Sequence, residues 1–141
     1  MDIEKIKEFF LRDEFARTNG IEFVDVREGY ACTKVTIEPR HHNAGGDVQG
    51  GLLFTLADLA FAAATNSHGT FTVTTSANIT FLRGARSGTV YAEARELVNH
   101  HRLPYCEVRI TDAEGSLIAM FTASGYRKQG VAIIDEGGFE N

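Results

Sequence analysis

The chain has 141 residues, of which 43% are hydrophobic and 23% charged, and its formal net charge is -5 at pH 7. This length and hydrophobic content are typical of one globular domain and exclude disordered and collagen-like chains. The acidic balance argues against a surface that binds nucleic acid, because such a surface needs an excess of Lys and Arg.

The sequence predicts neither a membrane span nor a secretory signal. The uncharged run Val48–Ala57 ends at Asp58, well before the roughly 20 apolar residues that a span requires. Residues 1–8 alternate in charge, whereas a secretory signal begins with a basic region followed by a long apolar run. We therefore expect a cytoplasmic protein that has no membrane partner. Cys32 and Cys106 form no CxxC pair and are interpreted as small core residues.

The N-terminal third of the chain predicts one amphipathic helix and two strands. Apolar residues recur at helical spacing through residues 2–19, with charges between them, which predicts the helix. Alternating polar and apolar residues predict two strands within residues 23–37, joined by a turn at Glu28-Gly29. Residues 40–47 are predicted to form a loop because of their Gly and Asn content.

A long apolar helix is predicted next, from about Gly50 to Asn66. The strands predicted after it are Phe71–Phe81, Thr89–Val98, Pro104–Thr111 and Leu117–Tyr126. A helix that is apolar on nearly all sides must be buried, so we predict an α+β domain over residues 1–128 in which a curved antiparallel sheet wraps the helix. Residues 129–141 are interpreted as a loosely ordered acidic tail.

One carboxylate interrupts the apolar helix. At 100° per residue, a single stripe holds Gly51, Thr55, Asp58, Ala62 and Thr65, and the rest of the circumference is mostly Leu, Phe and Ala. An ordinary solvated face would carry Lys, Glu, Arg or Gln, whereas this stripe has only small residues beside the acid. Asp58 is therefore a candidate functional acid or base, and an exposed surface Asp is the alternative.

The start of the same helix provides a second candidate group. Gly50 and Gly51 have backbone N–H groups in the first turn, at the positive end of the helix dipole, where they suit a developing oxyanion. Asn43 and Gln49 flank this turn with amide side chains. The alternatives are a glycine pair that only permits a tight turn and amides that only cap the loop.

A family signature lies around the central helix, in the segments His42–Ala62 (HNAGGDVQGGLLFTLADLAFA), Asn66–Gly69 and Phe81–Arg83. These segments resemble hotdog-fold acyl-CoA thioesterases of the phenylacetate-pathway (PaaI-like) type, and the likeness covers residues 21–128. The resemblance implies a hotdog fold and hydrolysis of aromatic, phenylacetyl-type or medium-chain acyl-CoA to the free acid and CoA. We expect no cofactor, since CoA is part of the substrate, and no metal, since a thioester has a good leaving group.

The resemblance also implies roles for individual residues. Asp58 would be the general base or nucleophile, and the Gly50 N–H would polarise the thioester carbonyl. Asn43 would orient water or the carboxylate, and Ser76, on the polar side of the next strand, would support the attacking water. Gln49 departs from the family pattern, which has His there. An amide can donate a hydrogen bond but cannot titrate near neutral pH.

Other residues are candidates for contact with the substrate. Gly51 and Thr55 lie on the small-residue stripe, and Phe54 would accommodate an aromatic or medium-chain acyl group. Basic residues placed to meet the CoA phosphates are Arg83, Arg86, Arg102, Arg127 and Lys128. The adjacent pairs His41-His42 and His100-His101 lack the spacing of metal ligands, so no metal site is expected.

Two alternative functions on the same fold stay open. The first is a non-catalytic protein that binds acyl-CoA, and Gln49 in place of the family His keeps this alternative open. The second is an enoyl-CoA hydratase or dehydratase, which would need a His paired with an acid across the substrate. No His lies on the central helix, which disfavours the second alternative.

Self-association is predicted because an open sheet leaves an edge that a second copy can cover, giving a homodimer or a homotetramer built as a dimer of dimers. Gly50 and Asp58 are eight residues apart, which on one helix means about 12 Å of rise and roughly 80° of rotation. One thioester carbonyl cannot meet both groups of the same helix. We therefore predict active sites shared between subunits, with Asp58 and Ser76 from one chain and Gly50, Gln49 and Asn43 from the other.

Overall fold

The computed structural model describes residues 3–133 of the chain. Its elements are α1 (Ile3–Phe10), α2 (Glu14–Thr18), β1 (Glu22–Arg27), β2 (Tyr30–Thr36), a 3-10 turn (Pro39–His41), α3 (Gly50–Asn66), β3 (Thr70–Phe81), β4 (Thr89–Val98), β5 (Tyr105–Asp112) and β6 (Leu117–Ala132). The strands form one antiparallel sheet in the order β1-β2-β4-β5-β6-β3. The predicted α+β architecture, with a curved sheet around one long helix, is confirmed.

Helix α3 forms the centre of the hydrophobic core and packs mainly against β2 and β4. Leu56, Ala60 and Phe61 are fully buried, as expected for a helix that is apolar on most of its circumference. The buried Thr33 hydroxyl on β2 donates a hydrogen bond to the Leu56 carbonyl oxygen at 2.9 Å, so its polar group has a partner inside the core. None of the helices within residues 3–133 has the length and apolar character needed to cross a membrane.

The single N-terminal helix predicted over residues 2–19 is wrong, because the described part of this segment forms two short helices. Asp13 lies between them in an extended conformation, and its side chain accepts a hydrogen bond from the Ala16 N–H at 3.0 Å. An Asp in this position begins a new helix by satisfying a free N–H of the first turn. Ile6 of the predicted apolar face is buried, but Phe15 of that face is 66% exposed, and the neighbouring Ala16 is buried instead.

Strand β6 continues beyond residue 128, where the predicted domain ended and the acidic tail began. Ala132 still pairs with Thr70 of β3, and the buried Ile133 donates its N–H to the Gly69 carbonyl oxygen at 3.0 Å. The first residues of the predicted tail are therefore part of the sheet, because the long edge strand β3 offers them partners. The rest of that tail lies outside the described residues.

An extra residue in β3 decides which of its side chains face α3. Thr74 pairs with Gly125 of β6, and Ser76 pairs with the next β6 residue, Ser124, so Thr75 is the inserted residue of a bulge. Successive residues of β6 face opposite sides of the sheet. Thr74 therefore faces the helix together with the buried Gly125, whereas Ser76 faces the opposite side.

Candidate active site

One stripe along α3 is covered only in part by the rest of the chain and is called the uncovered stripe below. Its residues are Gly50, Gly51, Phe54, Thr55, Asp58 and Ala62, and all other residues of α3 are buried. The predicted small-residue stripe is confirmed as far as Ala62. It ends there, because Thr65 is buried and its hydroxyl donates to the Phe61 carbonyl oxygen at 2.9 Å. Phe54 adds an aromatic ring to the stripe, packed edge-on against Phe121.

Asp58 lies two turns into α3, and its carboxylate accepts a hydrogen bond from the Thr74 hydroxyl at 2.9 Å. Burial raises the pKa of Asp58, the Thr74 hydrogen bond lowers it, and the negative charge of Asp13 raises it further. Burial is the largest of these effects, so the carboxyl group is a stronger proton acceptor than an ordinary surface Asp. This environment suits a general base.

The predicted position of Ser76 beside Asp58 is wrong, and Thr74 takes that place. Plain alternation along the strand would put both side chains on one face, but the bulge at Thr75 separates them. Thr74 could have been considered from the sequence, because it is a hydroxyl residue two positions from Ser76 on the strand that follows α3. Nothing in the local pattern indicated the bulge.

At the start of α3, the two glycine N–H groups differ. The Gln49 side chain is the N-cap of the helix and its Oε1 accepts from the Gly51 N–H at 2.5 Å. Among the described residues, no acceptor is bound to the Gly50 N–H. Of these two N–H groups, that of Gly50 is therefore the one without a partner among the described residues, and its role as an oxyanion donor stays a prediction. Gln49 supports the turn beside it without needing to titrate.

The loop before α3 is organised by Asn43. Its Oδ1 accepts from the Gly45 N–H at 2.9 Å and from the Asp47 N–H at 3.1 Å. Asp47 is paired in turn with Arg86 at 3.5 Å. The Asn43 carbonyl group thus holds the loop, and within residues 3–133 no acceptor is bound to its Nδ2. The loop-capping alternative is therefore realised, and only the amide nitrogen is available for a substrate.

Two cavities flank the helix start. The first, of about 410 Å³, is lined by Asn43, Asp47, Val48, Gly50, Leu53, Phe81, Leu82, Arg83 and Gly84. The second, of about 380 Å³, is lined by Phe15, Asn19, Arg40, His41, His42, Gln49, Gly51, Leu52 and Thr55. The free Gly50 N–H belongs to a residue of the first cavity, and the capped Gly51 N–H to a residue of the second.

The structure thus divides the predicted site residues into two groups. Asn43, Gln49, Gly50, Gly51, Thr55 and Arg83 line the cavities at the helix start. Asp58 lines neither cavity and forms a separate pair with Thr74. This separation agrees with the distance expected for eight residues along one helix, about 12 Å.

Several polar residues considered from the sequence have structural partners instead. Arg127, considered for the CoA phosphates, is buried and donates to Glu96 Oε2 at 3.2 Å and to Asn99 Oδ1 at 2.6 Å. Cys32 and Cys106 are confirmed as core residues, and burial raises the pKa of their thiols to about 11 and about 12. In the described part of the chain, no group of three His, Cys, Asp or Glu side chains is placed to hold a metal ion.

The central helix, the sheet around it and the glycine-led helix start define a hotdog thioesterase. The sequence profile of the thioesterase superfamily matches residues 45–119, more than half of the chain, and the chain belongs to this family. It is therefore a thioester hydrolase. The resemblance identified from the sequence is confirmed at the level of family and fold.

Among its relatives, the chain is similar to the acyl-coenzyme A thioesterase PaaI of Escherichia coli strain K12. The two are 31% identical over 116 residues, which is 82% of this chain and 83% of that protein. A solved structure of the E. coli PaaI protein, from the phenylacetic acid degradation operon, has a TM-score of 0.81 at 27% identity, covering 89% of this chain and 98% of that one.

A second solved structure extends the likeness to another organism. A variant of the phenylacetic acid degradation protein PaaI from Thermus thermophilus has a TM-score of 0.78 at 30% identity. The match covers 82% of this chain and 99% of that one. The hotdog domain of this chain is therefore PaaI-like over most of its length.

Proposed function

We propose that this chain hydrolyses acyl-CoA thioesters to the free acid and CoA, with aromatic, phenylacetyl-type or medium-chain acyl groups as substrates. The observation that carries the proposal is the uncovered stripe of α3, which has a free N–H at Gly50 and a carboxylate of raised pKa at Asp58. The similarity to an acyl-coenzyme A thioesterase supports CoA as the thiol portion of the substrate.

The proposed reaction needs one base and one oxyanion donor. Asp58, held by Thr74, takes a proton from water while the water oxygen forms a bond to the thioester carbonyl carbon. The negative charge that develops on the carbonyl oxygen is stabilised by the Gly50 N–H. The C–S bond then breaks and CoA leaves as a thiolate. Direct attack by the Asp58 carboxylate, followed by hydrolysis of the anhydride, uses the same groups.

No cofactor or metal is required in this mechanism, because the thioester carbonyl is electrophilic and the thiolate leaves without a strong general acid. The Asn43 amide nitrogen would hold the water or the substrate, and Arg83 would meet a CoA phosphate at the mouth of its cavity. Thr55 and Phe54 would contact the substrate along the stripe. We expect the reaction to take place in the cytoplasm.

We also propose that each active site is shared between two subunits. The Asp58–Thr74 pair lies apart from the cavities at Gly50, and the edge strand β3 beside it is uncovered in the single chain. A homodimer, or a homotetramer formed from two such dimers, would bring the partner subunit's Asp58 to the Gly50 of the first chain.

Thiol release from a panel of aryl- and alkyl-CoA thioesters tests the proposed function. We expect steady turnover for several members, measured with a thiol reagent against an enzyme-free control. Saturable binding of acyl-CoA without thiol release would support the non-catalytic alternative and contradict the proposal. Consumption of an enoyl-CoA without thiol release would instead support a hydratase.

A further inference from the structure

An aromatic ring lies directly against the proposed oxyanion donor. Phe81 is the last residue of β3 and pairs with the buried Ala119, so it is on the face of the sheet that contacts α3. Its Cζ atom is 2.7 Å from the position that a Cβ on Gly50 would occupy. A real Cβ essentially never approaches a ring carbon so closely. Glycine is therefore required at this position if the ring is to stay where it is.

The same ring is also exposed, although the side chain is large and apolar. Phe81 is 53% exposed and the next residue, Leu82, is also 53% exposed. Adjacent exposed apolar side chains beside a cavity are typical of a surface that binds a ligand or another chain. Both line the cavity of about 410 Å³ whose inner wall includes the buried Val48 and Leu53.

A carbonyl bound to the Gly50 N–H would lie near this ring. An oxygen that accepts from the Gly50 N–H lies about 2.9 Å from the nitrogen. The carbonyl carbon and the first acyl atoms then come within van der Waals reach of a ring that touches the same glycine. The cavity on the other side is a poorer choice for the acyl group, because the Gly51 N–H beside it is already bound to Gln49.

We infer that Phe81 is a specificity-determining residue that packs against the acyl group while the thioester carbonyl binds the Gly50 N–H. This inference rests on the proposed function and refines its substrate class. A ring in this position favours an acyl group with an aryl or other bulky apolar part close to the carbonyl, because aromatic rings add edge-on or offset contacts to simple burial. A short or straight acyl chain gains less from the ring.

The test compares Phe81→Ala with Phe81→Leu, which keeps apolar bulk but not the ring. Phe15→Ala is the matched control, because Phe15 is 66% exposed and lines the other cavity. The measured quantity is the ratio of kcat/KM for phenylacetyl-CoA to kcat/KM for hexanoyl-CoA. Since both substrates carry the same CoA, a change in CoA binding cancels in this ratio.

We expect Phe81→Ala to lower the ratio at least about tenfold, Phe81→Leu to lower it less, and Phe15→Ala to leave it within about twofold. An unchanged ratio in a folded Phe81→Ala protein overturns the inference, and so does a larger effect of Phe15→Ala. If Phe81→Ala does not fold, Phe81→Leu and Phe81→Trp provide the test instead. We expect Phe81→Trp to lower the ratio, because the bulkier ring favours the slimmer hexanoyl group.

Two further measurements distinguish a failure of this inference from a failure of the proposed function. Failure of the wild-type protein to release thiol from any substrate would refute the proposed function itself, before any variant is considered. Light scattering reports the oligomeric state of each variant. If Phe81→Ala dissociates the oligomer and leaves the substrate ratio unchanged, the ring is an interface between copies of the chain and the inference is wrong.

Discussion

Asp58, on the uncovered stripe of α3, is held by Thr74 of the neighbouring strand β3. Their hydrogen bond fixes the carboxylate, and partial burial makes the carboxylate more basic than a solvated one. A lone acid in such a place is costly for folding, because burial disfavours its charged form. The cost is understandable if the charged form is used in catalysis.

Asp58→Asn should lower kcat at least about a hundredfold while the fold is retained, because the amide keeps the shape of the side chain but cannot accept a proton from water. Thiol-release kinetics measure kcat, and circular dichroism checks that the fold is retained. Asp25→Asn, which changes a surface Asp paired with Arg27, is the control and should keep near wild-type turnover. Wild-type-like activity in a folded Asp58→Asn protein would refute the assignment of Asp58 as base or nucleophile.

The same variant has a consequence for stability. Because the pKa of Asp58 is raised by burial, the folded chain retains this proton to a higher pH than the unfolded chain does. Ionisation of Asp58 therefore reduces stability as the pH rises above about 4. The unfolding free energy of Asp58→Asn should therefore rise relative to that of the wild type as the pH is raised from about 4 to about 7.

Thr74→Val should move the acid limb of the kcat/KM profile to higher pH. The Thr74 hydrogen bond lowers the pKa of Asp58, so its removal raises that pKa further and the base becomes ionised only at higher pH. Thr75→Val is the matched control, because the Thr75 hydroxyl donates to the Ser124 carbonyl oxygen instead. Equal profiles for the two variants would show that Thr74 does not act on Asp58.

At the scale of elements, the end of α3 is tied to the sheet by a buried ionic group. Glu96 of β4 lies 2.7 Å from His68 Nε2, just after the helix, and 3.2 Å from the Arg127 guanidinium of β6. Both side chains of the Glu96–Arg127 pair are largely buried. A buried pair of this kind keeps its partners in place mainly because leaving either charge alone is costly.

Glu96→Gln should destabilise the fold by about 3–5 kcal/mol, because it leaves the buried Arg127 without a negative partner. Urea unfolding measures the change. The surface pair Asp25–Arg27 provides the control, since both side chains are exposed and Asp25→Asn should cost less than about 1 kcal/mol. Similar losses for the two variants would contradict a special role of the buried group.

For the whole molecule, the uncovered parts of the single chain point to assembly. Strands β1 and β3 are the edges of the sheet, and β3 is 12 residues long. Long open edges are normally covered in stable proteins. A second copy of the chain, related by two-fold symmetry, would cover both the uncovered stripe of α3 and the adjacent edge strand β3.

Light scattering should therefore show a dimer or tetramer, and mixed inactive variants should complement each other. When Asp58→Asn and Asn43→Ala subunits are unfolded and refolded together, each mixed dimer has one site with both changes and one intact site. About a quarter of wild-type activity should return if assembly is random. Mass spectrometry checks that subunits have exchanged and mixed dimers have formed. If exchange occurs and no activity returns, both residues act within one chain and the shared-site proposal fails.

Local properties explain how much of this protein could be predicted from its sequence. The bounds of α3, the stripe that contains Asp58 and the helix start at Gly50 depend only on helical period and residue type. The turn at Glu28-Gly29 and the strand segments likewise follow from short-range patterns. These features were predicted correctly because neighbours in the chain determine them.

Features that depend on distant residues were decided only by the tertiary structure. Thr74 replaces Ser76 beside Asp58 because the pairing of β3 with β6 inserts Thr75 as a bulge. Phe81 reaches Gly50 across 31 positions of the chain, and no local pattern connects the two. Register and packing are set by which surfaces meet, and a shift of one residue moves a side chain to the opposite face of the sheet. The sequence therefore determined which groups exist, and the fold determined which of them meet.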